Sequence, residues 1–278
     1  MIALLLALGS SLAYGCADFL GGLGARRAHV LRTVMIAAPA SLAVELLLWP
    51  LLGASFSAAT VGWGALSGVA SAAAFALLYR TLAFGPMNVL SPVTALVSAA
   101  LPVGVGLLQG EHLAAAGLAG LPLALVAVVL VSASPGAGAA RPSRTALLLA
   151  LGAGAAIAGQ LIFLHQAPSD SGVAPLIIGR AVSSTITLAA AGLMHRKLGP
   201  ERPAYALSAT AGALDSVANL LFLLAARSGN LSIVAVIVAL YPAGTVLLAC
   251  GATAERIHRG QLVGLGTAAV AVSLLATT

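Results

Sequence analysis

Leu77-Leu78-Tyr79-Arg80-Thr81-Leu82-Ala83-Phe84-Gly85-Pro86-Met87 closes one long apolar stretch and opens the next, and it has a counterpart further along the chain. Leu221-Phe222-Leu223 answers its start and Gly229-Asn230 its turn, so that Gly85 falls on Gly229, 144 residues on. The same offset carries Gly15 onto Gly159, Phe19 onto Phe163, Gly68 onto Gly212, Glu111 onto Glu255 and Gly120 onto Gly264. Each match alone is weak, but a register that holds across both halves marks an internal duplication. Duplication within a very apolar chain points to a membrane transporter built from two structural repeats.

Composition identifies the solvent. Of 278 residues, 60% are hydrophobic and 7% charged, and the mean hydropathy is +1.08. A water-soluble domain carries roughly a quarter charged residues, so this chain lacks the means to cover a water-facing surface. The basic excess, 13 Lys and Arg against 7 Asp and Glu, does not imply nucleic-acid binding, because the cations stand singly or in small groups at the ends of apolar stretches. Cys16 and Cys250 lie inside apolar segments and suggest neither a disulfide framework nor a metal site. The start, Met1-Ile2-Ala3-Leu4, has no basic region before its apolar run and reads as a first membrane helix rather than a signal peptide.

A spanning helix needs about 20 mainly apolar residues. Polar and Gly/Pro-rich breaks divide the chain into ten such stretches: Ile2–Leu23, Leu31–Leu52, Val61–Phe84, Met87–Leu108, Leu113–Ala133, Thr145–Gln166, Val173–Met194, Ala204–Ala226, Leu231–Gly251 and Gln261–Ala276. Between the fifth and sixth lies Ser134-Pro135-Gly136-Ala137-Gly138, the start of a Pro/Gly/Ser-rich run ending at Arg144. We expect residues 1–133 and 145–278 to be two five-helix repeats, with 134–144 as linker. Five spans is an odd number, so consecutive copies enter the bilayer from opposite sides. The expected fold is an all-α integral membrane protein of ten transmembrane helices in two inverted repeats.

Arg26, Arg27, Arg32, Arg141, Arg144, Arg196, Lys197, Arg202, Arg256 and Arg259 gather at the odd-numbered connections, and Arg227 alone opposes them. The positive-inside rule would make the odd connections cytoplasmic and leave both termini outside.

Charges within a bilayer are expensive unless paired, which makes them functional candidates. Asp18 shares a helix face with Ser11 and Tyr14, and Asp215 is followed one turn later by Asn219. Under the offset, Asp215 falls on Ser71 and Asn219 on Phe75, so equivalent faces of both halves are polar or aromatic. A cavity between the halves would be lined by these faces. The alternative is that each Asp caps a helix break or bonds a neighbouring Ser or Asn. Ser91, Thr94 and Ser98 form a stripe on the fourth stretch beside Pro92 and Pro102, and Tyr241-Pro242 answers in the ninth. These either line a pathway or satisfy helix contacts. Gln160, which aligns with Cys16, could meet a substrate or bridge two helices. Arg180 lies deep enough to need a carboxylate or water. Glu45, one turn before Trp49-Pro50, is expected near the membrane edge, and His165 near a helix end.

The run Leu78-Tyr79-Arg80-Thr81-Leu82-Ala83-Phe84-Gly85-Pro86 leading to Leu90-Ser91-Pro92, then Leu107-Leu108-Gln109-Gly110-Glu111, resembles the EamA module of the drug/metabolite transporter superfamily. The second copy keeps Tyr241-Pro242, Ala254-Glu255-Arg256 and Gly260-Gln261-Leu262-Val263-Gly264, and Arg32 and Arg180 match the family's Arg near the start of the second helix of each half. Gly53-Ala54-Ser55-Phe56-Ser57 stands where members often have a basic loop. The resemblance implies ten helices with both termini cytoplasmic, against the charge bias. It also implies export of a small polar metabolite, an amino acid or related compound, by alternating access, while the carboxyls of Asp18 and Asp215 within apolar stretches make them the candidates for proton coupling. The rival within that class is a uniporter or antiporter of drug-like or nucleotide-like solutes. From another class, an enzyme acting on lipid intermediates would need a nucleophile constellation that the sequence does not display. The expected setting is a bacterial inner membrane, multi-pass, as monomer or weak homodimer. The expected partners are a small-molecule substrate and the lipid bilayer, with protons as a candidate and no nucleic acid. Neither cofactor nor metal is expected, since Walker, His-Glu-x-x-His, Gly-x-Ser-x-Gly and Cys-x-x-Cys motifs are missing from the sequence.

Overall fold

The computed structural model describes residues 1–25, 27–84, 87–132, 143–194, 198, 201–253 and 258–277, with the side chains of 78–84, 87–89, 91, 249, 250, 252 and 253 also outside the description. The described residues form α-helices and no strands. They are α1 (Ile2–Ala25), α2 (Val30–Leu52), α3 (Ala58–Phe84), α4 (Met87–Leu108), α5 (Ala115–Ser132), α6 (Arg144–Gln166), α7 (Ala174–Leu193), α8 (Tyr205–Ser228), α9 (Leu231–Val238), α10 (Tyr241–Thr253) and α11 (Arg259–Leu275). Eight stretches are long and apolar enough to cross a bilayer: α1, α2, Ala58–Leu77 of α3, α5 to α8, and Leu231–Leu248. Pro92–Leu108 of α4 and α11 are shorter apolar helices. The protein is an integral, multi-pass membrane protein.

Local chemistry sets several ends. Ser143 accepts from the Ala146 amide to cap α6, and Ser57 accepts from Thr60 at the start of α3. One expected helix is divided. Pro242 has no amide hydrogen and its ring would strike the carbonyl four residues back, which is that of Val238. α9 ends at Val238 and α10 begins at Tyr241, with Ala239-Leu240 between them. Pro92 and Pro102, by contrast, lie within the continuous α4.

Packing is between small residues. α1 packs on α8 and α3 on α6; α2 lies against α8 and α3 against α7; α4 meets α6 and α1 meets α10; α5 pairs with α11 and α2 with α7. A methyl group at Gly120 would stand 3.0 Å from Leu275 Cγ, and one at Gly264 2.8 Å from the Val131 amide. A methyl at Gly212 would run into the Ala37 backbone, and one at Gly68 into Gly179. Lipid tails offer no hydrophobic drive for helix association, so such close backbone approach supplies the dispersion contacts that hold helices together. Outward positions carry Leu5, Leu12, Leu47, Leu51, Leu66, Leu148 and Leu262, all exposed. α9 is the reverse: every residue from Leu231 to Val238 is buried, against Phe222 and Leu223 of α8, Leu121 of α5 and Leu161 and Leu164 of α6.

Connections at alternate positions along the chain are tied together. Gly53, at φ 69°, ends α2 and accepts from the Val173 amide at 3.0 Å, while the Ser55 amide donates to the Ser171 carbonyl at 3.1 Å. Arg227 at the end of α8 donates to the same α6–α7 connection, at the Gly172 carbonyl (2.9 Å), the Pro168 carbonyl (3.1 Å) and Ser171 Oγ (2.8 Å). Its position is therefore explained by loop bracing rather than by membrane topology. Among the other connections, Arg32 Nε donates to the Leu198 carbonyl at 3.2 Å.

Candidate functional site

α1, α3, α4, α6, α8 and the α9–α10 break enclose a cavity of about 130 Å³. It is lined by Tyr14 and Asp18 of α1, Ser71, Ala74 and Phe75 of α3, Ser98 of α4, Ile157, Gln160 and Leu161 of α6, Asp215 of α8, and Val238, Ala239 and Tyr241. Of these lining residues, Ser71 and Asp215 alone correspond under the 144-residue offset. The break matters locally: Pro242 ends α9 at the cavity wall and turns Tyr241 toward Tyr14, with ring centroids 6.3 Å apart and planes at 57°.

Beside it lies a space of about 10 Å³, room for about one water, bounded by Ser67, Gly68, Ser71, Gln160, Gly179, Arg180 and Asn219 among others. A polar network runs along the wall that separates the two. Ser67 Oγ donates to the Gln160 carbonyl at 3.2 Å. Gln160 Nε2 donates to Asn219 Oδ1 at 2.9 Å, and Asn219 Nδ2 donates to the Asp215 carbonyl at 2.8 Å. A backbone carbonyl only accepts, so this last bond fixes which end of the Asn219 amide is which. Arg180 Nη2 pairs with Asp215 Oδ2, and Arg180 Nε lies 3.6 Å from Glu45 Oε1. Ser216 stands beside Glu45 and Ser41 beside Asp215.

The sequence candidates separate accordingly. Tyr14, Asp18, Ser71, Phe75, Ser98, Gln160, Asp215 and Tyr241 line the cavity. Asn219 and Arg180 lie one layer behind it, bounding the small space. Thr94 is buried and donates to the Ala150 carbonyl at 3.1 Å, joining α4 to α6. Ser98 donates to the Ala95 carbonyl while facing the cavity. The Ser91 side chain lies outside the described residues. Gln160 bridges α6 to α8 and also lines the cavity.

The membrane-edge position expected for Glu45 is overturned. Glu45 is 1% exposed and faces Arg180. Its proximity to Trp49-Pro50 in sequence was misleading, because Trp49 points outward while Glu45 continues the buried stripe of Val34, Ala38 and Ser41. That spacing of three and four residues, with Ser41 already polar on it, was the available signal. Glu111 carries a role that the sequence did not reveal. Its carboxylate accepts from the Leu231 amide through Oε1 and from the Ser232 amide through Oε2, the latter at 3.0 Å, capping α9 where Asn230 offers no side-chain bond. Gly106 leaves space for this carboxylate, which a methyl there would displace.

A multi-pass membrane protein, helical over its described residues, with a cavity among its helices lined by two carboxyl groups is the class this fold and site define. Residues 144–277 match the model of the EamA-like transporter family, a family of the drug/metabolite transporter superfamily. No curated protein matches the sequence. Among solved structures, a crystal structure titled only as that of a protein is similar over 98% of this chain and 95% of its own, with TM-score 0.76 and 15% identity. At that identity the likeness speaks for the fold alone.

Proposed function

We propose that the chain is a secondary transporter with two inverted five-helix repeats, residues 1–133 and 145–278 joined by 134–144, that exports a small polar metabolite, an amino acid or related compound, by alternating access. The observation that carries this reading is the cavity itself, walled by helices of both halves and lined by Asp18 and Asp215 in a chain with only 7% charged residues. The repeat relation is supported by the packing: under the 144-residue offset the α1–α8 contact becomes α6–α3, and α2–α8 becomes α7–α3. Gly120 against Leu275 becomes Gly264 against Val131, the exchange expected of a two-fold contact. Two halves related in this way can rock about the cavity between them.

Asp18 is the better candidate than Asp215 for a proton or a substrate amino group. Asp215 is already paired with Arg180, whereas Asp18 has no ion-pair or hydrogen-bond partner among the described residues. Localisation in a bacterial inner membrane and inside termini follow the family resemblance, and a reporter fused to the C-terminus tests the orientation. Function is tested by uptake into proteoliposomes of labelled amino acids and their derivatives, with and without a pH gradient. Asp18→Asn should lose gradient-driven uptake, while Asp215→Asn should alter uptake through Arg180 and keep its gradient dependence. Absence of flux for every solute, alongside turnover of a lipid substrate, would refute the transporter reading.

A further inference from the structure

We infer that the occupant of the central cavity is an organic monocation: a protonated amine on an apolar or aromatic body, with no carboxylate or phosphate of its own. The inference rests on the reading of this cavity as the transport site and replaces the amino acid proposed there with a related amine that lacks the carboxylate.

The charges decide it. Asp18 and Asp215 line the cavity, and among the described lining residues none is Lys, Arg or His. Arg180, in the small space behind, stands between Asp215 and Glu45, one cation for two carboxylates. The buried cluster of Arg180, Asp215 and Glu45 therefore holds two carboxyl groups to one cation, and Asp18 has no cation beside it among the described residues. Among the described residues a solute carboxylate or phosphate entering here meets no free cation, because Arg180 is held on both sides. A solute ammonium meets Asp18, which has no partner among the described residues.

The other walls suit the same ligand. Tyr14 lies one turn before Asp18 on the same face of α1, its ring near that of Tyr241, and Phe75 completes an aromatic wall. Aromatic faces are negative and attract cations. The Ser71 hydroxyl, on a residue 4% exposed, faces the cavity without a hydrogen-bond partner among the described residues. It can take one N–H of an ammonium. The α9–α10 break adds little to the sign, since the carbonyl end of α9 and the amide end of α10 carry opposed partial charges of about half a unit each. The full charges of the carboxylates prevail. The volume fits one solute of roughly ten non-hydrogen atoms, counting about one water's room per atom.

The test uses three solutes that share one phenol ring and differ in charge: tyramine, tyrosine and 4-hydroxyphenylacetate. Saturable uptake into proteoliposomes of the full chain is measured against protein-free liposomes, together with equilibrium binding of labelled tyramine to the purified protein. Tyramine should exceed the other two by at least tenfold in both. Asp18→Asn should lower tyramine binding at least tenfold with an unchanged unfolding temperature, and Asp18→Glu should restore part of it. Uptake of tyrosine or 4-hydroxyphenylacetate in preference to tyramine would overturn the inference while leaving the transporter reading intact. Asp18-dependent binding of tyramine without flux of any solute would uphold the inference and sink the transporter reading. No tyramine binding at millimolar concentration, or undiminished binding by Asp18→Asn, overturns the inference.

Discussion

Replacing Arg180 should cost far more than replacing either carboxylate it faces. Arg180 is 6% exposed and Glu45 1%, with 3.6 Å between Nε and Oε1. At an effective dielectric of about 20 that separation corresponds to about 4–5 kcal/mol of gross attraction, and the cost of removing both ions from water offsets much of it. Arg180→Met exposes the imbalance, since it leaves the buried Glu45 carboxylate with no cation and strips Asp215 as well. Breaking a buried pair from one side in this way costs about 3–5 kcal/mol. Glu45→Gln does the opposite, leaving one cation to one carboxylate, and should cost about 1 kcal/mol or less. Arg180→Met with Glu45→Met removes both charges and should recover about 2 kcal/mol or more of the single-mutant loss. Thermal unfolding in detergent micelles reads the series. At about 2–4 °C per kcal/mol for a chain of this size, Arg180→Met should melt roughly 10 °C below the parent and the double variant several degrees above Arg180→Met. Equal losses for Arg180→Met and Glu45→Gln, or a double variant at the sum of the singles, would refute the argument that Glu45 depends on Arg180.

Two further outcomes test the packing. Glu111→Ala leaves the amides of Leu231 and Ser232, both fully buried residues, without their acceptor. It should cost about 3 kcal/mol and Glu111→Gln, which keeps one acceptor, about half, with faster amide exchange along α9 as the specific readout. Gly212→Ala sets a methyl against the Ala37 backbone and should destabilise by about 1–3 kcal/mol, whereas Gly62→Ala, with open space at that position, should leave the unfolding temperature within a degree or so.

The membrane class and the helix order were legible in the chain because they depend on short-range features. Apolar stretches of about 20 residues separated by turn residues dictate helices in lipid, where every backbone amide must be satisfied within its own segment. The glycines that match under the 144-residue offset, Gly68 and Gly212 or Gly120 and Gly264, stand where helices pack closely. Much of the cavity lining was legible for a related reason: Asp18 and Asp215 are expensive residues in an apolar setting, and Tyr14 lies one turn from the first of them. Pro242 alone did not place the break at Ala239-Leu240, since Pro92 and Pro102 lie within an unbroken α4, and neither did it place that break at a cavity.

Pairing belongs to the tertiary structure. Asp18 and Asp215 look alike in sequence, each a lone carboxylate within an apolar helix. One is matched by Arg180 from α7 and the other has no partner among the described residues, a difference set by which helices pack together and not by neighbours along the chain. Glu45 reads as interfacial from its position and is buried because α2 turns that face toward α7 and α8. Glu111 reads as part of a corner and serves as the cap of a helix 120 residues away. The sequence determined the solvent and the run of apolar helices, since both follow from local hydropathy and spacing. Only the tertiary structure decided which charges meet, because an ion pair depends on a few ångströms between helices that the chain brings together from distant places.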